Sequence, residues 1–384
     1  MKKQLSVFLL SFGLLIPAFS QKKDVSLEEK LIQHFQKVNW TETMVSKDSL
    51  FTVHSEEKFN VSLSDALIEF NTAHVVIRNP YFADKYENAI KEREYVKNFP
   101  KSYSVIYEDR LVSLFENGRF ACYTLDELER DVQLENELNT KKFTYHWIID
   151  GQLTGLSGGS VFVRKDGKWS KFKEKFPLKD KPIIFEDKHF IVFGDCLGEW
   201  GGTVYFFEKA SAKTFFTEST CANSVIKDAE GYHVLAHLGH GSGFSDIKII
   251  PDPRKLSLVK TGQIGKSVNG QALGYVDKSN AFRQELDVIG LQIFSSFRYQ
   301  GRELYIVHLA ELTFIAEIKD GEIQIAHPLF LNELYTNDPI TKKYGEYVLV
   351  NLDLYTTGLN REIAVLIIHG NQISKLDWNE DHNR

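Results

Sequence analysis

Three short apolar runs separated by turns lie at His189-Phe-Ile-Val-Phe-Gly-Asp-Cys-Leu-Gly-Glu199, Thr203-Val-Tyr-Phe-Phe207 and Lys213-Thr-Phe-Phe216. Runs of this length that are rich in β-branched and aromatic residues are typical of β-strands. Dipeptides such as Asp150-Gly151 and Asp320-Gly321 elsewhere in the chain favour tight turns. The pattern predicts antiparallel strands joined by hairpins.

The same kind of unit recurs along the chain. Three further copies begin at Tyr232-His-Val-Leu-Ala-His-Leu-Gly-His240, Leu304-Tyr-Ile-Val-His-Leu-Ala-Glu311 and Tyr347-Val-Leu-Val-Asn-Leu-Asp353. Two weaker copies begin at Leu111-Val-Ser-Leu114 and Leu153-Thr-Gly-Leu156. Most starts lie about 40 residues apart. The longer gap after the copy that begins at Tyr232 requires an insertion or a degenerate unit around Gly262 to Phe294.

This repetition resembles the β-propeller architecture over roughly residues 102–378. Each unit supplies several short strands and cannot bury both of its faces alone. Stacking the units around an axis buries both faces of every unit. We predict an all-β propeller of about six four-stranded blades, with a pair of β-sandwiches as the alternative. No WD, Kelch or other named blade signature is present, so the resemblance implies an architecture and no active site.

The N-terminal part has a different sequence pattern from the repeats. Residues 21–100 are predicted to form a small α-rich lead-in or cap region before a propeller-like domain at 101–384. Ser26-Leu-Glu-Glu29 has the pattern of a capping box, followed by apolar residues at helical spacing. A second helix is predicted from Phe82 to about Lys97. Leu50–His54 and Ala73–Ile77 have the composition of strands.

The first 20 residues have the pattern of a secretory signal peptide. Lys2 and Lys3 precede an apolar stretch from Leu5 to Phe19, and Ala18-Phe19-Ser20 fits a cleavage site. We therefore expect a protein that is exported to the periplasm or beyond the cell. No later apolar run approaches the length of a membrane span, since the longest, Ile363–Ile368, has the size of a strand.

The composition excludes one class of partner. The formal net charge is −6 and the charges are mixed along the chain, whereas nucleic-acid binding usually needs a basic patch that displaces phosphate counterions. Hydrophobic residues make up 43% of the chain, which is enough for a large core. We expect a monomer.

A polar position recurs at the end of each apolar run. Cys196-Leu-Gly-Glu199, His237-Leu-Gly-His240 and His308-Leu-Ala-Glu311 align in register, and Asn351-Leu-Asp353 is a weaker fourth copy. Equivalent positions of successive blades are expected to meet around one axis. The candidate ligand-binding residues are Glu199, Trp200, His237, His240, His308 and Glu311. Among these residues, His237, His240 and His308 are also the candidate ligands of a divalent metal such as zinc.

The alternative is that these positions are ordinary strand ends, hydrogen-bonded to neighbouring blades or open to solvent. The three cysteines bear on this question. A disulfide between Cys196 and Cys221 is the preferred pairing, because a short two-strand excursion separates them, and Cys122 is then expected to be a buried apolar residue. A metal site that uses Cys196 fails if this cysteine is oxidised.

Three functions are compatible with these patterns, one of which is a structural component of a surface assembly that binds no ligand. The other two require a site. The first is a binding protein without a resident cofactor that holds a protein, peptide or glycan on one face of the propeller. An exposed Trp200 beside the Glu199 carboxylate would suit stacking on a sugar ring. The second is a metal-dependent hydrolase or lyase at the repeated His/Glu positions. Whether the protein is an enzyme stays open at this point.

Overall fold

The structure is a computed structural model that describes most of the chain from residue 26 to residue 378. The described ranges are 26–38, 45–52, 59–77, 79–81, 100, 102–172, 176–177, 180–240, 243–277, 279–319, 321–329, 334, 336, 338–354 and 362–378. The expected signal peptide at 1–20 and the expected helix at 82–97 lie outside these residues. No helix among the described ranges is long and apolar enough to cross a membrane.

Six small sheets make up six blades, preceded by an N-terminal segment. The N-terminal segment contains α1 (Leu27–Val38), β1 (Phe51–Thr52), β2 (Asn60–Leu63) and β3 (Asn71–Val76). Blade 1 contains β4 (Val105–Tyr107), β5 (Arg110–Leu114) and β6 (Phe120–Thr124), and is followed by α2 (Val132–Leu138). Blade 2 contains β7 (Tyr145–Ile149), β8 (Gln152–Ser157), β9 (Ser160–Lys165) and β10 (Lys168–Lys171).

The remaining blades have the same antiparallel order. Blade 3 contains β11 (Ile183–Glu186), β12 (Phe190–Cys196), β13 (Gly202–Glu208) and β14 (Thr214–Glu218). Blade 4 contains β15 (Ala222–Lys227), β16 (Tyr232–Leu238), β17 (Phe244–Ile250) and, after β18 (Ser257–Leu258), β19 (Arg283–Ile289). Blade 5 contains β20 (Gln292–Tyr299), β21 (Arg302–Leu309), β22 (Leu312–Lys319) and β23 (Glu322–Pro328). Blade 6 contains β24 (Ile340–Tyr344), β25 (Tyr347–Leu354), β26 (Glu362–His369) and β27 (Gln372–Asp377).

The core is divided among the contacts between blades, and each pair of neighbouring blades shares one apolar cluster. Strand β12 illustrates the division. Phe190 and Val192 face blade 4, while Ile191 and Phe193 face blade 2. Because side chains alternate across a strand, a blade with a neighbour on each side needs apolar residues at every position. The six contacts close the ring, and the β-propeller prediction is confirmed.

The internal repeat coincides with the blades. Each of the six copies found in the sequence begins with the second strand of a blade, namely β5, β8, β12, β16, β21 and β25. Blade 1 has three strands instead of the four expected for a blade. There, α2 follows β6, and Leu134 and Leu138 of α2 are buried in the cluster between blades 1 and 2.

The long gap in the repeat is an insertion within blade 4. Between β17 and β19 the chain leaves the blade, and β18 pairs with β14 at the outer edge of blade 3. A short 3₁₀ turn, Leu273–Val276, then contacts β13 and β14 before the chain returns to blade 4. The insertion therefore links the outer parts of blades 3 and 4.

The N-terminal segment is attached to the ring through strand pairing as well as through its helix. The Ser26 amide donates to Glu29 Oε2 at 3.0 Å and the Glu29 amide donates to Ser26 Oγ at 3.2 Å, as in a capping box. Leu31 and Phe35 are buried against blades 4 and 5. Strand β2 pairs in parallel with β23, and β3 pairs in parallel with β27. The segment thus covers two outer edges whose backbone groups would otherwise be free to pair with another chain.

Ring closure joins blade 6 to blade 1 through side chains. Leu349 and Leu376 of blade 6 share a cluster with Leu111 of blade 1. The buried amide of Asn351 bridges the same contact, because its Oδ1 accepts from the Ser104 N–H at 2.7 Å and its Nδ2 donates to the Ser104 carbonyl at 3.1 Å. One side chain therefore satisfies both backbone groups of a buried residue.

We expect Asn351→Ala to lower the free energy of unfolding by about 2 to 4 kcal/mol, because it leaves both buried backbone groups of Ser104 without this partner. Urea denaturation measures the change. Asn371→Ala, in an exposed turn, is the matched control and should change stability by less than about 0.5 kcal/mol. Equal stability of the two variants would contradict this account of ring closure.

Candidate functional site

The recurring polar position lies at one face of the ring, named here the turn face, which carries the turns between second and third strands. Glu199 and Trp200 belong to a 3₁₀ turn, Gly198–Trp200, that follows β12. His240 follows β16, and Glu311 lies in the turn after β21. Because neighbouring strands are antiparallel, the innermost strands begin at this face. The sequence alignment therefore placed equivalent positions of successive blades correctly.

These residues do not line the central cavity. A central cavity is lined by the first strands of blades 2 to 6, and none of the six candidate residues lines it. The second strand of each blade is one strand further from the axis, and neighbouring strands are about 4.8 Å apart. The six residues are therefore not assembled around the cavity, and a common site on the axis stays a prediction from the sequence.

His237 and His308 fit the alternative of hydrogen-bonded strand ends. His237 is fully buried, and its Nε2 donates to the Thr336 carbonyl at 3.0 Å. Burial lowers the pKa of His237 to about 4, so the ring is neutral at physiological pH. His308 Nδ1 shares a hydrogen bond of 3.1 Å with Thr313 Oγ1, and burial also lowers its pKa.

The metal set predicted from the sequence is not assembled. Among the described residues, a group with ligand atoms within 4.8 Å of one another is formed by Asp228, His233 and Glu303, and it includes none of the three predicted histidines. His237 is buried whereas the side chain of His240 is 71% exposed. These two histidines therefore lie at different depths although they are three residues apart.

Cys196 and Cys221 form a disulfide, as the spacing suggested, with their Cα atoms 4.4 Å apart. Cys196 ends β12 of blade 3, and Cys221 immediately precedes β15 of blade 4. The bond ties these blades together below the turn face and removes a thiolate from metal binding. Cys122 is a buried free cysteine.

Glu199 and His240 do meet, across the boundary between blades 3 and 4. Glu199 Oε1 lies 2.7 Å from His240 Nδ1, and the two side chains are 61% and 71% exposed. Contacts between exposed charged groups stabilise a fold little, so this pair is not expected to contribute much to the stability of the ring.

An exposed apolar group, named here the aromatic patch, lies in and beside the turn that contains Glu199. It consists of Leu197, Trp200, Tyr275 and Val276, of which Trp200 is 62% and Tyr275 47% exposed. Large aromatic side chains are usually mostly buried. Here two exposed aromatic side chains lie close to each other, because Tyr275 lies over Gly201, the residue next to Trp200.

The backbone beneath the aromatic patch is held firmly. The Trp200 carbonyl accepts from the Ala272 N–H at 3.1 Å, and Gly274 donates to Thr203 Oγ1 at 2.9 Å. The ring of Tyr275 lies directly over Gly201, where a Cβ would come within 1.7 Å of Tyr275 Cε2. Gly201 also has φ +85°, a conformation that glycine adopts without strain. Both the contact and the backbone angle require glycine here.

Sequence reasoning missed Tyr275. It belongs to the insertion in blade 4, which has no counterpart in the other repeats, so no alignment could pair it with Trp200. The signal available was the sequence Leu273-Gly-Tyr-Val276, which places an aromatic and an aliphatic residue beside a glycine within the insertion.

Sequence reasoning also missed the charged group of Asp228, His233 and Glu303. His233 Nε2 lies 3.1 Å from Asp228 Oδ1, and His233 Nδ1 lies 3.5 Å from Glu303 Oε1. Arg298 contacts the other oxygens of both carboxylates, at 3.3 and 3.6 Å. The two carboxylates face different nitrogens of one ring, so an imidazolium satisfies both of them. A metal ion would have to displace Arg298.

The comparisons with known proteins give structural likenesses only. Neither the protein-family models nor the curated proteins contain a match. Among solved structures, the chain is similar to PorZ, an essential bacterial surface component of the type-IX secretion system of Porphyromonas gingivalis, with 12% identity and a TM-score of 0.34 over 75% of this chain and 34% of that one. It is also similar to the extracellular domain of the one component system BT4673 from B. thetaiotaomicron, with 12% identity and a TM-score of 0.34 over 73% and 32% of the two chains.

A third likeness is to U3-55K, with 13% identity and a TM-score of 0.37 over 69% of this chain and 79% of that one. The chain spans about a third of the length of the first two proteins. The fold assignment rests on the strand order and the six interblade clusters described above.

We expect the double variant Cys196→Ser/Cys221→Ser to lose roughly 3 kcal/mol of stability, because the bond closes a loop with a sequence separation of 25 residues. Thermal unfolding with and without dithiothreitol measures the effect. The reductant should lower the Tm of the wild type and leave the double variant unchanged. A wild-type Tm that does not respond to full reduction would contradict a stabilising role of the bond.

A second prediction concerns His233. Hydrogen bonding to Glu303, together with the charges of Glu303 and Asp228, raises its pKa. A raised pKa means that the imidazolium contributes stability in full below the unfolded value of about 6.5 and loses it as pH rises through the folded value. The stability difference between wild type and His233→Gln should therefore shrink from about pH 6 to pH 9. A difference that grows with pH would overturn the assignment.

Proposed function

We propose that this protein is an exported binding module that holds a glycan on the turn face, with Trp200 as the stacking residue. The single observation that carries the proposal is the aromatic patch beside the Glu199–His240 pair. Export is inferred from the N-terminal pattern at 1–20.

A sugar ring offers an apolar face of C–H groups and a rim of hydroxyls. An exposed aromatic plane binds the first, and charged hydrogen-bonding groups bind the second. The patch supplies two aromatic side chains, and the pair supplies an acceptor and a donor immediately beside Trp200. The chemistry of the surface is therefore complementary to both parts of a sugar.

Rigidity supports the same function. The turn that carries Trp200 is hydrogen-bonded within itself, through the Leu197 and Gly201 amides, and to the insertion through Ala272. The nearby disulfide between Cys196 and Cys221 fixes the strand that leads into this turn. Preorganised binding surfaces lose less conformational entropy when the ligand binds.

A glycan array followed by titration of the strongest-binding oligosaccharide tests the proposal. Trp200→Ala should weaken binding by about two- to tenfold, because one aromatic stacking contact contributes about 0.5–1.5 kcal/mol. The double variant Trp200→Ala/Glu199→Gln should bind more weakly than Trp200→Ala alone.

The matched control is Ile289→Ala, which removes an exposed apolar side chain, 67% exposed, at the end of β19 at the same face. This variant should bind like the wild type. Absence of any bound glycan, or equal loss in Ile289→Ala and Trp200→Ala, would overturn the proposal. If the same patch binds a protein and no glycan, the ligand is a protein and the glycan proposal is wrong.

A further inference from the structure

The central cavity is a second site, at the opposite end of the ring from the turn face. It has a volume of about 540 Å³ and is lined by the first strands of five blades. Its lining residues include Ile148, Glu186, Lys227, Arg298 and Tyr344, which lie at or near the ends of those strands. First strands begin at the turn face, so the cavity lies toward the other face.

The wall of the cavity is largely apolar. Ile184, Phe185, Val225, Ile226, Phe297 and Val348 line it. The serine and threonine hydroxyls of the lining are already engaged, since Ser224 and Ser296 share a hydrogen bond of 2.8 Å and Thr341 donates to Ser295 at 2.8 Å. The wall therefore suits an apolar group more than a hydrated one.

The charges in the lining are predominantly positive. Among the described lining residues the cationic side chains are Lys227, Arg298, Lys342 and Lys343, and the carboxylate is Glu186. Lys227 is paired with Asp187 at 2.5 Å, and Arg298 with Asp228 at 3.3 Å, while Lys343 is exposed. Lys342 is the buried cation.

The positive charge of Lys342 is only partly compensated by an ion pair. It extends from blade 6 to blade 2, where Nζ donates to the Ile148 carbonyl at 3.0 Å. Glu186 Oε2 is 3.7 Å away, and the other oxygen of that carboxylate contacts Lys209 at 2.8 Å. Glu186 is therefore shared between two lysines.

The groups around Lys342 explain its electrostatics. The pKa of Lys342 is lowered to about 8, chiefly by burial; Glu186 opposes the decrease and Lys209 contributes to it. The titratable groups that face Lys342 are Glu186 and Lys209 from blade 3, Tyr344 on its own strand, and Tyr103, Tyr145 and His146 across a small second cavity that it also lines. An anion beside the ammonium would compensate the charge that burial disfavours.

We propose that the central cavity binds a small amphipathic carboxylate, with the carboxylate on Lys342 and the apolar chain against the wall. Charge and shape each argue for this class of ligand. A neutral chain would leave the ammonium with only the Glu186 carboxylate, which it shares with Lys209, and a bare phosphate would leave the apolar wall unused.

Calorimetric titration of the full chain with sodium octanoate tests the proposal, with 1-octanol as the neutral probe and inorganic phosphate as the anionic probe without a chain. Octanoate should bind at least about tenfold more tightly than either. Its affinity should fall above about pH 8, because Lys342 then loses its proton. Equal affinity for octanoate and octanol would overturn the proposal.

Two variants move the affinity in opposite directions. Lys342→Met keeps the length of the side chain and should weaken octanoate binding about tenfold while leaving octanol unchanged. Glu186→Gln removes the competing carboxylate and should strengthen octanoate binding. Lys319→Met, on the outer part of blade 5 away from the cavity, is the control. If Lys342→Met does not fold, the octanoate affinity of Glu186→Gln decides the question. An affinity no higher than that of the wild type would contradict the proposal.

Discussion

Burial of both faces of every blade is the constraint on which the structure depends. A single sheet of this composition would expose two apolar surfaces, so it is stable only between two others. Six blades satisfy the condition for all members, and six apolar clusters result. This explains why strands such as β12 are apolar at successive positions instead of alternating with polar residues.

The same constraint assigns roles to the polar residues inside the ring. A buried polar group must find a partner, and the partner is often in the next blade. Asn351 of blade 6 binds the backbone of Ser104 beside blade 1. Lys248 of blade 4 contacts Glu218 of blade 3 and Asp246 of its own blade at 3.0 Å. Such residues fix how neighbouring blades meet, in addition to the apolar clusters.

Distance from the axis separates the two candidate sites. Residues of the first strands face the central cavity, which collects Lys342 and its apolar wall. Residues at the ends of second strands reach the turn face, where Glu199, Trp200 and His240 are exposed. The insertion of blade 4 then adds Tyr275 to this face. One protein can therefore carry a stacking surface outside and a charged cavity inside without the two interfering.

The sequence by itself determined the β-rich architecture, the six repeats, the capping box at Ser26 and the pairing of Cys196 with Cys221. These follow from local patterns and from periodicity, because residues near in the chain or equivalent in each repeat carry the signal. The alignment of Glu199 with His240 was also correct at the level of equivalent positions.

Only the tertiary structure decided how deeply each residue is buried and which residues it contacts. His237 and His240 lie three residues apart in one repeat, but His237 is in the core and His240 is exposed to solvent. Tyr275 and Lys342 reach their sites through an insertion and through a crossing of the ring, and neither is encoded by a repeated pattern. Contacts between blades depend on how whole sheets stack, and that stacking is a property of the closed ring.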